Sequence, residues 1–122
     1  MIAHVTLHVS DYETSKSFYE TTLLPLGYVL SKDFSDASVS GFKSGEGNHD
    51  FWINADGAKQ TTHVAFEARS KEEVQSFYNA ALEAGGTDNG APGYREDYGP
   101  GYYAAFILDP DGHNIEAAFF ES

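Results

Sequence analysis

Cysteine is missing from this chain altogether. Its absence excludes disulfides, a thiolate nucleophile and cysteine-ligated metal sites. Basic residues are almost as scarce: seven Lys and Arg stand against 19 Asp and Glu, a formal net charge of −12. Lys16, Lys32, Lys43, Lys59, Lys71, Arg69 and Arg95 are scattered along the sequence. Contacts to phosphates need clustered Lys and Arg, so this composition argues against nucleic acid and anionic membranes as partners. The acid excess reads most simply as solubility. Long apolar runs are lacking too. The leading "IAHVTLHV" alternates apolar and polar residues, without the basic and apolar regions of a leader. The expectation is a cytoplasmic protein with neither signal peptide nor membrane span.

Apolar residues are in good supply. At 41% hydrophobic and 15% aromatic, 122 residues suffice for one self-supporting core, so residues 1–122 read as a single domain.

The sequence repeats itself. "HVTLHVSDYETSKSFYETTLLPLG" (4–27) returns without a gap as "HVAFEARSKEEVQSFYNAALEAGG" (63–86), an offset of 59. The identical pairs are His4/His63, Val5/Val64, Glu13/Glu72, Ser17/Ser76, Phe18/Phe77, Tyr19/Tyr78, Leu23/Leu82 and Gly27/Gly86. Such a repeat dictates the architecture.

Each copy opens on a strand of period two, "HVTLHV" (4–9) or "HVAFEA" (63–68). A helix follows, with Asp11 or Ser70 placed to cap it. Pro25 and Gly27 end the first helix, Gly85 and Gly86 the second. "GYVLSKDF", "ASVSGFKS" and "HDFWINA" read as three further strands of the first half. In the second half "YYAAFILD" and "NIEAAFF" read as strands around a "PDGH" turn, while "TDNGAPGYREDYGPG" reads as a loop with a short strand. The fold class is α+β. Two βαβββ repeats, about 1–55 and 63–122 with a linker at 56–62, form an open curved mixed sheet around a cleft, helices outside. Late in each half the offset grows to 64, matching Phe42 with Phe106, His49 with His113, Phe51 with Ile115 and Trp52 with Glu116.

Alternation assigns the faces. Val5, Leu7, Val9, Val64, Phe66, Ala68, Ile115, Ala117 and Phe119 belong under the helices. The opposite faces line the cleft: His4, Thr6, His8; Asp50, Trp52, Asn54; His63, Ala65, Glu67; Asn114, Glu116, Ala118. Two imidazoles (His4, His63) and one carboxylate (Glu116) can then converge as a facial triad with open positions opposite. These ligands suit Fe²⁺, Mn²⁺, Ni²⁺ or Zn²⁺. The alternative is that the histidines are ordinary polar residues of a half-buried sheet and Glu116 a rim carboxylate.

"HVTLHVSDYETSKSFY…LG", "HVAFEA" and "DPDGHNIEAAF" (109–119) together resemble the vicinal oxygen chelate superfamily, which holds glyoxalase I, extradiol dioxygenases, and fosfomycin- and bleomycin-resistance proteins. The resemblance spans nearly the whole chain and specifies no reaction. It implies metal ligands at His4, His63 and Glu116, a divalent metal, and a substrate chelated through neighbouring oxygens. Glyoxalase I has a further metal-bound glutamate that shuttles the proton, and here that position is Trp52. A tryptophan neither ligates nor carries a proton, so the resemblance implies a lyase-, isomerase- or dioxygenase-like metalloenzyme that is not a true glyoxalase I. A metal-free protein that sequesters a drug or metabolite, of the bleomycin-resistance kind, is the alternative.

Other cleft residues complete the expectation. His8 is a candidate general base, with Glu67 as its pseudo-symmetric partner to orient the ring. Arg95, the only cation of "GYREDYGPGYY", is a candidate anchor for an acidic group of the ligand, or else is tied to Glu96 or Asp97. Tyr98, Tyr102 and Tyr103 offer rings and hydroxyls for a pocket, and Trp52 a wall for a flat ligand. The apolar content and the flat repeats favour a homodimer, with clefts that can be shared across its interface.

Overall fold

A computed structural model describes residues 2–121. β1 (Val5–His8) leads to helix α1 (Tyr12–Leu23), then β2 (Tyr28–Phe34), β3 (Val39–Ser44) and β4 (His49–Asn54). The second half repeats this order: β5 (His63–Glu67), α2 (Lys71–Glu83), β6 (Thr87–Tyr94), β7 (Tyr102–Leu108) and β8 (Asn114–Phe120). Each half is one mixed sheet, ordered β1-β4-β3-β2 or β5-β8-β7-β6, with β1 or β5 at the edge and parallel to its neighbour. No described helix is long and apolar enough to cross a membrane.

The helices begin and end where their chemistry directs. Asp11 accepts from Thr14 N at 3.0 Å, and Ser70 Oγ from Glu73 N at 3.1 Å, each satisfying an amide that has no partner within the helix. α1 buries Tyr12, Ser15, Phe18, Tyr19, Thr22 and Leu23, a stripe of helical period. After it, Pro25 lies in a 3₁₀ turn and Gly27 takes φ of 86°, returning its N–H to Leu24 O. α2 buries Val74, Phe77 and Ala81. One hydrophobic core runs through both repeats, and the sheets meet in it through side chains: Phe66 of β5 packs on Phe51 of β4 and Tyr28 of β2, with ring centroids 5.1 and 5.2 Å apart.

The "DPDG" turn braces the two halves. Tyr19 OH donates to Asp109 Oδ2 at 2.5 Å, and Ser10 N to Asp111 Oδ1 at 3.0 Å. His113 accepts from Thr62 N through Nδ1 at 3.0 Å and donates from Nε2 to His8 O at 2.7 Å. Burial raises the Asp109 carboxyl, and burial beside that carboxylate holds the Tyr19 phenol well above its ordinary value.

Register bears out the late offset of 64 for the closing strands. Val5 pairs with Phe51 and Thr6 with Trp52; Val64 pairs with Ile115 and Ala65 with Glu116. Trp52 and Glu116 therefore occupy equivalent places. The match of Phe42 with Phe106 is corrected. Phe42, opposite Phe51, faces the core with no exposure, and its counterpart opposite Ile115 is Ile107. The ladder between β3 and β4 shifts register between Phe42 and Lys43, so the first hairpin carries one residue more. Gly41, opposite Trp52, is the true equivalent of Phe106, opposite Glu116.

A second correction concerns "TDNGAPGY". It is not a loop with a short strand but the whole of β6. Register shifts fall between Asp88 and Gly90 and between Gly90 and Gly93, and Pro92 is tolerated because β6 is an outer strand.

Candidate functional site

The polar centre of the second sheet is Glu116, only 3% exposed although it belongs to the face away from the helices. Ile115 and Ala117, its neighbours in β8, are fully buried in the core, so alternation turns Glu116 to the other side. Both its oxygens accept hydrogen bonds: Oε1 from His63 Nε2 at 3.0 Å and Oε2 from Tyr102 OH. Asn114 Nδ2 lies 2.7 Å from His63 Nδ1, and Asn89 Nδ2 lies 3.3 Å from Asn114 Oδ1. With the Asn114 amide donating, Nδ1 of His63 carries no proton, and Nε2–H is directed at Glu116. Burial, then the Glu116 carboxylate that accepts its proton, push Tyr102 up to about 12. Tyr102 thus remains a donor through the physiological range.

Apolar rings and one cation surround this centre. Phe106 lies opposite Glu116, with its centroid 6.2 Å from that of His63. The Arg95 guanidinium covers Phe106 at 5.5 Å and donates from Nη2 to Ala91 O at 2.6 Å. Among the described residues no carboxylate pairs with Arg95, although Glu96 and Asp97 follow it directly. Tyr98 packs edge-on against Tyr102 and is 65% exposed. Tyr103 lies on the opposite side of the sheet: it is buried, receives a hydrogen bond from Gln75 of α2 and packs on Tyr94.

The first sheet carries the counterpart. Trp52 lies flat over Gly41, where a Cβ would meet the ring at 2.8 Å, and donates from Nε1 to His49 O at 2.8 Å. His4 meets Trp52 edge-on at 6.5 Å, and Phe34 lies nearly parallel to it, 10° between planes. Strand parity puts Phe34 on this face, since Phe34 pairs with Val39 and Val39 with Asn54. Where the second sheet has a carboxylate opposite a phenylalanine, the first has a tryptophan opposite a glycine.

His8 and Glu67 are not brought together. His8 Nδ1 bonds Asp56 Oδ1 at 3.0 Å, while Glu67 lines a groove with Asp50 and Tyr28. Nor does His4 join His63 and Glu116: among the described residues no three His, Asp or Glu side chains gather as a metal-holding group. His63 and Glu116 themselves fit a divalent ion. Their facing atoms are 3.0 Å apart, and two ligands at roughly 2.1 Å from one ion lie roughly 3 Å from each other. Alternation put Asn114 on the cleft face without a role, and Phe34, Gly41 and Asp56 are residues that the sequence did not single out for the site.

Comparison with known proteins agrees with this architecture. Residues 1–117 match the family model of the Glyoxalase/Bleomycin resistance protein/Dioxygenase superfamily. A glyoxalase/bleomycin resistance protein from Albidiferax ferrireducens is 31% identical, with 96% of this chain and 97% of that one covered at a TM-score of 0.80. A family enzyme from Burkholderia phytofirmans shares 20% identity over 98% of both chains, with a TM-score of 0.73. Lactoylglutathione lyase from Agrobacterium tumefaciens shares the fold at 18% identity and a TM-score of 0.72, over 98% of this chain and 92% of that one. No curated protein matches the chain. From the family model and the Albidiferax relative, the chain belongs to the Glyoxalase/Bleomycin resistance protein/Dioxygenase superfamily.

Proposed function

We propose that the protein is a divalent-metal-dependent enzyme of the cytoplasm acting on a small molecule with neighbouring oxygens, and that it works as a homodimer. In this reading His4 of one copy completes the ligand set begun by His63 and Glu116 of the other. The observation that carries it is the His63–Glu116 pair, whose facing atoms are spaced as two ligands of one ion. His4 has the equivalent place at the start of the other repeat, yet meets Trp52 and not this pair within its own chain.

The ion, when bound, supplies Lewis-acid polarisation of the substrate oxygens. The chain's own residues do the rest. To ligate through Nε2, His63 takes the Nδ1–H tautomer, with the Asn114 amide turned so that its oxygen accepts that proton. Tyr102 holds Oε2 of Glu116 and leaves Oε1 to ligate. Trp52 and Phe34 offer a flat wall, and Arg95 takes an acidic group of the substrate. Trp52 stands where a fourth, proton-carrying carboxylate would be, so the reaction is lyase-, isomerase- or dioxygenase-like without glyoxalase I activity.

A second reading is a metal-free binding protein with the same cleft. It is favoured by the two hydrogen bonds that satisfy both Glu116 oxygens with protein donors. Calorimetric titration with Mn²⁺, Fe²⁺, Ni²⁺ and Zn²⁺ separates the two. The enzyme reading expects one ion per chain, lost in His63→Ala and in Glu116→Gln. Binding no tighter than about 100 μM for all four ions, or undiminished in both variants, leaves the metal-free reading.

A further inference from the structure

Between the two repeats lies a cavity of about 460 Å³ that contains neither His63, Glu116, Tyr102 nor Trp52. It is lined by His8 and Ser10 at the end of β1, by Lys59, Gln60 and Thr61 of the linker, and by Asp111. Its walls are fixed by bonds that cross between the repeats. His113 Nε2 holds His8 O at 2.7 Å, and Asp111 Oδ1 holds Ser10 N at 3.0 Å.

The two carboxylates beside the cavity, Asp56 and Asp111, each already accept a backbone N–H. Asp56 Oδ1 accepts from both His8 Nδ1 and Ala58 N, each at 3.0 Å, and Asp111 takes Ser10 N. The Ala58 bond and the His8 bond pull the Asp56 carboxyl below its ordinary value. Lys59 and His8 are left over. Lys59 has no ion-pair partner among the described residues. His8, whose Nδ1–H is held by Asp56, presents at Nε2 a lone pair without a protein partner among them. Gln60 and Thr61 add an amide and a hydroxyl beside it.

We infer that this cavity is a second ligand site, which takes the oxyanion of a small molecule together with one proton: the charge on Lys59, and one oxygen on His8 Nε2 through that proton. The shared chemistry is that of a carboxylate or a phosphate. A lone lysine against a net charge of −12 implies modest affinity, in the millimolar range for a bare anion.

The test is NMR titration of the whole protein with inorganic phosphate and, separately, with acetate. Saturable shifts confined to His8, Lys59 and Thr61 are expected with one of the two, and the tighter anion identifies the class. Lys59→Gln and His8→Gln should each weaken binding about tenfold, the effect of losing one charge-assisted contact. Lys43→Gln, the same charge change away from the cavity, should leave it unaltered, as should Glu116→Gln. Shifts that do not saturate below about 50 mM, or an equal loss in Lys43→Gln, overturn the proposal and leave only general charge attraction.

Discussion

Replacing Gly41 by alanine drives a methyl group into the one tryptophan of the chain. The new Cβ would sit 2.8 Å from Cη2 and Cζ3 of Trp52 and 3.0 Å from Cε3. Carbon atoms rest at about 3.5–4.0 Å, so the indole has to retreat by close to ~1 Å. Those three atoms form the outer edge of the ring. The side chain can therefore tilt, and the backbone need not move. Gly41 has no positive φ, so alanine adds no backbone strain and restricts the unfolded chain, a gain of about 0.4–1 kcal/mol. Overpacking costs about 1–3 kcal/mol, and a movable ring belongs at the lower end. The net expectation is a loss of about 0.5–1.5 kcal/mol, with Trp52 displaced from His4 and Phe34 and its bond to His49 O at 2.8 Å weakened. Urea unfolding followed by circular dichroism measures the loss, and tryptophan emission reports the displacement, because no other tryptophan contributes. In the Trp52→Ala background the same change should be neutral or stabilising, a coupling of at least about 0.5 kcal/mol. Unaltered emission together with an unaltered midpoint in Gly41→Ala would refute the packing of Trp52 on this glycine.

Asn114→Ala removes the amide that lies on Nδ1 of His63, so ¹⁵N shifts of His63 should change from a single Nε2–H tautomer toward a mixture; an unchanged spectrum would deny Asn114 its part. A pH prediction rests on Asp33, which hydrogen bonds from Tyr12, Ser35 and Lys16 pull from 3.8 to about 2. A depressed carboxyl contributes stability that is present above 3.8 and is lost as pH falls toward about 2, so Asp33→Asn should flatten the loss of Tm in that window. An acid limb as steep as that of the wild type would locate the sensitivity elsewhere.

Much of this arrangement was legible in the sequence because period and parity are local. The ungapped repeat gave both first strands and both helices, and parity put Trp52, Glu116 and the three histidine positions His4, His8 and His63 on the side away from the helices. Parity also separates Tyr102 from Tyr103: adjacent strand residues cannot share a face, and the core position of Ile107 decides which one turns inward. What alternation cannot give is the placement of one sheet against another. Hence the face of His4 was readable, whereas its distance from His63 and Glu116 was not. His8 escaped for a different reason. Its partner Asp56 belongs to the linker, where no period constrains a side chain. β6 escaped because Gly90, Pro92 and Gly93 carry the chemistry of a loop, and only the place of the strand at the edge of its sheet makes them tolerable.

The central claim is that the metal site is completed between copies, and mixing two inactive variants tests it most directly. His4→Ala and His63→Ala each lack a ligand, so neither homodimer should bind an ion. If His4 of one copy serves His63 and Glu116 of the other, each mixed dimer regains one intact site. Random exchange of equal amounts then restores binding at about one quarter of a site per chain. Calorimetry of the mixture with Zn²⁺, beside each variant alone, reads this number. The account predicts recovery near that value, disappearing when the second variant is His4→Ala,His63→Ala. A mixture that binds no more than its components would contradict it.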